Sequence, residues 1–329
     1  MSLSHTDDSV AAVVRRLGAA NRLVVVTHAR PDGDALGSAK ALSLSARLAG
    51  RQAVVVVPDG LPERYAFMFP GEHVGSATDF AAHADLADTI VVVDTSSPKQ
   101  LEGVADAISA RREKLVVIDH HATAGNIGSV QWIDASASAA GVMVAELLDM
   151  LLWPTDNQVL DALAIAVLSD TGWLRFSNTD PRTLRHVERW LEQGLRLEDV
   201  YQALYQNDRP ERLKLMARML ESLELFADGR LAIMSIVQRD FAQTGARPDE
   251  TENGVNEALR IASVEIAILL VEQNGQIRAS LRSRKVVDVA QLAQQFGGGG
   301  HARAAGVRFD QPLDVAKAKL VAATLACLE

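Results

Sequence analysis

Short unbroken apolar runs recur through the first half of the chain, at Leu23–Thr27, Ala53–Val57, Thr89–Val93 and Leu115–Ile118, with a helical stretch at Ala35–Ala49 between the first two. Runs of Val and Ile without polar alternation predict strands covered on both faces. Their alternation with helical stretches is the βαβ rhythm of a largely parallel sheet. Asn157–Leu168 predicts a buried helix, and Asp180–Gly194 a second with Pro181 near its start. From Leu195 to Asp228 the pattern is helical and charge-rich: Pro210 stands at a helix start, with Glu211, Arg212, Lys214 and Arg218 on solvated faces. Residues 191–228 are therefore expected to form a helical linker.

After Gly229 the strand pattern restarts at Leu231–Val237 and is followed by a helix around Glu252–Ile261. Strand-like runs at Val264–Val271 and Gln276–Arg282 flank Asn274-Gly275, a strong hairpin signal. A glycine run at Gly297–Gly300 and a closing helix at Leu313–Leu325 complete a smaller α/β unit. The predicted fold class is α/β: an N-terminal parallel-sheet domain with flanking helices over 1–190, the linker, and a smaller C-terminal α/β domain over 229–329. A length of 329 residues also favours two domains.

Composition narrows the function classes. With 48% hydrophobic and 23% charged residues the chain is neither disordered nor fibrous. Cys327 has no second thiol for a disulfide or a thiolate metal site, which favours a reducing compartment and a buried or inert thiol. Met1–Val10 carries Asp7 and Asp8 and no apolar run, and the later apolar runs are too short to span a bilayer. A cytoplasmic protein without membrane contact is expected. The formal charge of −9 excludes a general basic field for a long duplex, and a short or small anionic ligand is expected instead.

Candidate chemistry gathers at the strand ends. Directly after the first strand, the sequence from Thr27 to Ser38 places His28, Asp32 and Asp34 on a tight loop before a helix. In an open α/β sheet such a loop lies at the carboxyl edge, where ligands bind. Any one of these residues alone is more often a cap or turn former. Two further strands end in Asp94 and in Asp119-His120-His121, and Asp170 closes the apolar helix Ala162–Leu168. Capping does not explain that convergence. An oxygen-rich ligand set with imidazoles and no cysteine suits Mn²⁺ or Mg²⁺ better than structural zinc. Packed carboxylates stay ionised together only if cations hold them, so two divalent ions are expected.

His28-x-x-x-Asp32-x-Asp34, Asp94, Asp119-His120-His121 and Asp170-Thr171-Gly172, in that order, resemble the four motifs of DHH phosphoesterases. The segment Gly297-Gly298-Gly299-Gly300-His301-Ala302-Arg303-Ala304-Ala305-Gly306 resembles the glycine-rich signature of the DHHA1 domain. Together they cover almost the whole chain. Length and domain pairing are closest to the stand-alone oligoribonuclease/pAp phosphatase (nano-RNase) branch. RecJ-type exonucleases usually carry further modules, and family II pyrophosphatases have a different C-terminal domain.

The resemblance implies that His28, Asp32 and Asp94 hold one metal and that Asp34, Asp94, His120 and Asp170 hold the other, with Asp94 bridging. It implies that His121 reaches the scissile phosphate while Asp119 orients the neighbouring histidine; His121, Asp94 and Asp119 are thus the catalytic candidates. Arg282, Ser283, Gly298, Gly299, Gly300 and His301 become the substrate-binding candidates, since an arginine fork suits phosphate and histidine can stack on or bond a base. A second domain gripping one end of the substrate also fits a preference for a few nucleotides.

The function so implied is Mn²⁺-dependent, two-metal hydrolysis of short single-stranded RNA or DNA oligonucleotides to mononucleotides, together with hydrolysis of pAp to AMP. Mg²⁺ or another divalent ion is the alternative cofactor. A cyclic- or linear-dinucleotide phosphodiesterase and a non-catalytic nucleotide-binding regulator are the rival readings, and a homodimer is left open. The stretch Ala135-Ser136-Ala137-Ser138-Ala139-Ala140-Gly141 departs from the family's Ser-Ser-Thr-type pattern followed by an acid; Ser136 or Ser138 is expected as a helix N-cap. Trp173 and Phe176 are expected in the core.

Overall fold

Every Val- and Ile-rich run of the first half becomes a strand of one sheet. The computed structural model describes residues 3–121, 125–284 and 287–328, and the chain divides into two units, Met1–Asn207 and Asp208–Glu329. In the first unit β1 (Arg22–Val26), β2 (Gln52–Val56), β3 (Thr89–Val93), β4 (Leu115–Asp119) and β5 (Val130–Ile133) form a parallel sheet in the order β2-β1-β3-β4-β5. Register pairs Val24 with both Val54 and Ile90, and Val91 with Val116. β5 was not expected: its four residues, with Gln131 among them, are too short and too polar for the pattern to register.

Because side chains alternate across a strand, the apolar runs supply two cores. Val25, Val91, Val93, Val116 and Ile118 pack with α1 (Leu3–Ala19) and α2 (Gly33–Leu48), burying Leu17, Leu36 and Leu42. On the other face Val24, Val92 and Val117 meet Phe80 of α3 (Ala77–Leu86) and Ile108 of α4 (Ala105–Ser109). The first layer is completed by α5 (Ala140–Leu151), α6 (Asn157–Asp170), α7 (Pro181–Glu192) and α8 (Leu197–Tyr205). Helices α2 and α6 meet almost backbone to backbone: a Cβ on Gly37 would lie 2.5 Å from the Ala162 carbonyl oxygen and 2.7 Å from the Ala166 nitrogen.

In the second unit α9 (Pro210–Glu221) precedes β6 (Glu224–Phe226), β7 (Leu231–Ile236), α10 (Gln238–Thr244), α11 (Val255–Ala258), β8 (Ile266–Gln273) and β9 (Gln276–Ser283). α12 (Val289–Gln294), β10 (Gly299–His301), β11 (Ala304–Phe309) and α13 (Leu313–Leu328) follow. The mixed sheet runs β10-β11-β9-β8-β7-β6, with β7 and β8 parallel. Asn274 and Gly275 have φ of 51° and 77°, the paired left-handed residues of a two-residue hairpin turn. The helix expected around Glu252–Ile261 shrinks to the single turn α11, just after Asn253 in the left-handed region.

The unit boundary falls inside the expected linker. Val200 and Leu204 of α8 are buried in the first unit's core, and Leu215 and Met219 of α9 in the second's. Each pair is spaced i, i+4, an apolar stripe that docks a helix instead of leaving it solvated. Cys327, expected to be buried or inert, is exposed on α13. Among the described residues no helix is long and apolar enough to cross a membrane.

An exposed helical glycine replaced by alanine gains about 1 kcal/mol. Gly37→Ala is expected to do the opposite and lose about 1–3 kcal/mol by overpacking, because the atoms it meets include helix backbone that cannot give way. Urea unfolding of the two proteins checks the sign.

Candidate metal centre

In the first sheet the chain winds outward in opposite directions from the β1/β3 junction, and in this strand order ligands bind beyond the carboxyl ends at that point. The loop after β1 carries His28, Asp32 and Asp34; β3 is followed at once by Asp94; β4 ends in Asp119, with His120 and His121 next. Asp170 is the last residue of α6. Asp32 also caps α2, its Oδ1 accepting from Ala35 N at 3.0 Å, so the ordinary capping role is real for this one residue. Asp94 adopts φ 62°, a left-handed conformation that side chains other than glycine adopt at a cost and that recurs at functional sites.

Three sets of potential ligand atoms lie within 4.8 Å of one another among the described residues: His28/Asp32/Asp94, Asp34/His120/Asp170 and Asp94/His120/His121. Asp94 lies at the centre, its carboxylate 3.5 Å from His28 Nε2 and 3.3 Å from His120 Nε2. His120 Nε2 is 3.7 Å from Asp34 and 3.8 Å from Asp170. Asp119 holds His121, with Oδ1 2.7 Å from Nδ1 and 3.1 Å from the His121 backbone nitrogen. Asp119 therefore orients His121, not His120.

The tautomers follow from the hydrogen bonds. His28 Nδ1 is 2.9 Å from the Ala29 carbonyl oxygen and His120 Nδ1 is 3.2 Å from that of Ala137. A carbonyl only accepts, so each Nδ1 carries its proton and each Nε2 is turned toward carboxylates. A bare Nε2 facing a carboxylate sets lone pair against lone pair; a proton or a metal cation must lie between. Without a cation the protons serve. Burial opposes the charged His28 ring, but the Asp94 hydrogen bond and the charges of Asp32 and Asp94 outweigh it and raise its pKa to about 9. His120 is raised to about 10 by Asp94 and Asp34 against the same burial. Burial also lifts Asp170 to about 7 and Asp34 well above the ordinary carboxylate range, in each case with Asp94 adding to it. Asp94 itself is held well below that range: His120 and His28 overcome the burial that would raise it.

These residues fit divalent cations. Asp94 is 2% exposed, and no backbone N–H or hydroxyl among the described residues donates to its carboxylate. Imidazole nitrogens fixed from behind by carbonyls, facing carboxylates, are the usual ligand preparation for a metal.

Several supports were not legible in the sequence. The carboxylate of Asp34 accepts from the first amides of α5, Ala140 N at 2.6 Å and Gly141 N at 2.9 Å, and from Ser38 Oγ at 3.1 Å. Asn178 Nδ2 donates to the carbonyls of Ser138 and Asp170. The Ala135–Gly141 departure is thereby explained differently from expectation. Neither Ser136 nor Ser138 caps α5; its N-cap is Ala139 without a side-chain bond, Ser138 Oγ pairs with Thr183 Oγ1 at 2.6 Å, and Ser136 bonds Asp134. Asp34 supplies the missing cap from a distant segment. Phe176, expected in the core, is 53% exposed, whereas Trp173 is partly buried edge-on to Tyr201 and Tyr205.

In the second unit Arg282 lies on β9, paired with Ala304 of β11, which pairs in turn with His301 of β10. The side chain of His301 lies outside the described residues. Ser283 alternates to the opposite, buried face and donates to the carbonyl of Val287, bracing the loop there; its hydroxyl does not join Arg282. Gly298 and Gly300 are required by the close approach of β11, since a Cβ on either would lie 2.3–2.4 Å from a carbonyl oxygen of Gly306 or Ala304. Around Gly299 a Cβ would meet nothing within 4 Å.

Comparison with known proteins bears on the same residues. The DHH family, N-terminal domain, matches residues 22–167 and the DHHA1 domain residues 228–326. A Thermus thermophilus protein named bifunctional oligoribonuclease and PAP phosphatase is 30% identical over 86% of this chain and 83% of its own. A Bacillus subtilis protein of the same name is 24% identical over 89% and 91%. The crystal structure of an exopolyphosphatase-related protein from Bacteroides fragilis superposes with a TM-score of 0.91 at 23% identity, over 96% of this chain and 95% of its own.

A pH dependence follows from the cation-free site. The His28 pKa rises from 6.5 unfolded to about 9 folded, so its contribution is complete below pH 6.5 and is lost as pH rises through 9. Asp170, raised from 3.8 to about 7, acts in the same direction, because folding favours its neutral form. Protein kept in EDTA is expected to melt at progressively lower temperature from pH 6.5 to 9. Added Mn²⁺ should restore stability, more at pH 9 than at 6.5, since cations compete with the protons. Thermal melts across that window read both trends.

Proposed function

The chain belongs to the DHH/DHHA1 family of metal-dependent phosphoesterases, and on that premise we propose that it hydrolyses short oligonucleotides to mononucleotides and pAp to AMP, using two Mn²⁺ ions. The observation that carries this reading is the single cluster of His28, Asp32, Asp34, Asp94, His120 and Asp170 at the β1/β3 edge. The names of the Thermus and Bacillus relatives support the substrate class. The regulator reading is not favoured, because every ligand position of the motif is filled.

His28, Asp32 and Asp94 would hold one ion, and Asp34, Asp94, His120 and Asp170 the other. Bound there, divalent cations supply activation of water and neutralisation of phosphoryl oxygens. Asp94 is shared by both sets, so its carboxylate would serve both ions. His121 donates from Nδ1 to Asp119, and its raised pKa favours the charged ring, in which Nε2 also carries a proton to offer a phosphoryl oxygen. Ser38 and the α5 amides keep Asp34 from turning away. In the second unit Arg282 offers a phosphate fork, and the open backbone at Gly299 leaves room for a base or phosphate to lie flat.

Purified protein with Mn²⁺ is expected to cleave 5′-phosphorylated diadenylate and pAp quickly and a twenty-nucleotide RNA slowly. Activity confined to another phosphoester would leave the family membership intact and overturn the substrate class. Asp94→Asn, which suits the left-handed backbone, is expected to cost more than about a hundredfold in kcat, beyond the usual effect of removing outer support, while the chain still folds cooperatively, with a lower melting temperature under EDTA because His28 and His120 lose their buried partner. Near-normal turnover would remove Asp94 from the bridging role.

A further inference from the structure

Between the ligands His28 and Asp32 the loop is anchored at nearly every residue but one side chain. Ala29 is 9% exposed and its N–H donates to the Gln100 carbonyl at 2.7 Å, and Pro31 is buried. Arg30 alone projects to solvent. Its backbone is in the left-handed region, φ 55°, and both oxygens of Asp59 accept from its N–H at 2.9 and 2.8 Å. Asp59 belongs to the turn after β2, so a neighbouring strand end is dedicated to holding an arginine in a conformation it disfavours.

The Ala29–Gln100 bond also ties this loop to the segment after β3, whose Lys99, next to Gln100 in the chain, is exposed. Neither the Arg30 guanidinium nor the Lys99 ammonium has an acidic partner among the described residues. In a chain of net charge −9, beside a cluster dominated by carboxylates, exposed cations on two loops joined by a backbone bond are the attractive element for an anion.

We propose that Arg30, assisted by Lys99, binds the terminal, non-scissile phosphate of the substrate and sets a preference for phosphorylated ends. The inference rests on the phosphoesterase reading above. A phosphomonoester carries about −1.5 to −2 charge against −1 for an internal diester, and the planar guanidinium matches its oxygens two at a time. Arg30 stands in the chain between two candidate ligands, His28 and Asp32, without belonging to the ligand set. Both 5′-phosphorylated dinucleotides and pAp present a second, terminal phosphate.

The test is the ratio of kcat/KM for 5′-phosphorylated diadenylate over that for unphosphorylated diadenylate. In Arg30→Gln the ratio is expected to fall about tenfold or more, through KM, and Arg30→Lys should recover part of it. Asp59→Ala, which releases the Arg30 backbone, should lower the ratio in the same direction. A ratio within twofold of wild type, or an equal loss of kcat on both substrates, overturns the inference. Should wild-type protein cleave neither substrate, the functional reading fails, and calorimetric titration with pAp decides the inference separately. Affinity reduced about tenfold in Arg30→Gln upholds it; equal affinity, or no binding by wild type, overturns it.

Discussion

Four carboxylates and three imidazoles share one largely buried edge of the first sheet, and their mutual charge is what the rest of that unit is arranged to hold. Asp94 and Asp34, at 2% and 1% exposure, are too deep for water to neutralise. Protons on His28 and His120 balance Asp94 when no cation is bound, with imidazole pKa values raised to about 9 and 10, while burial pushes Asp34 toward its neutral form. Divalent ions would remove that conflict, with Nε2 of His28 and of His120 already turned to receive them. The site is therefore organised around charge that must come from outside the chain.

Holding such a cluster requires rigid neighbours, and these come from helix packing as much as from the sheet. The glycine contact between α2 and α6 brings the helix that carries Asp34 against the helix that ends in Asp170. The N-terminus of α5 then meets Asp34, so that a helix lacking its own cap is completed by a metal-ligand candidate, with the helix dipole favouring the ionised carboxylate. One carboxylate thus terminates a helix and offers itself to the cluster. Seating of α5 and geometry of the centre are coupled through that contact.

The candidate ligands were readable because they stand at strand ends, where an unbroken apolar run stops and an acid or imidazole follows, as at Asp94 and His120. The hairpin was readable because Asn274-Gly275 is one of few pairs that tolerate two left-handed residues. Less legible was everything set by partners far along the chain. Asp34 and Ala140 are separated by 106 positions, and nothing near Ala139 signals that its helix is capped from there. Ser283 looked equivalent to Arg282 until the strand's alternation turned it to the buried face.

The sequence by itself determined the strand rhythm, the α/β class, the set of candidate ligands and the family they resemble, because these depend on local period and on residue type at fixed spacing. Only the tertiary structure decided which nitrogen of each histidine faces the carboxylates, that Asp119 serves His121, and that residues 191–228 divide between two cores. It also decided that Phe176 is exposed and that Arg30 is held outward by Asp59. Those outcomes turn on which distant groups satisfy buried donors and acceptors, a constraint imposed only when the chain is folded.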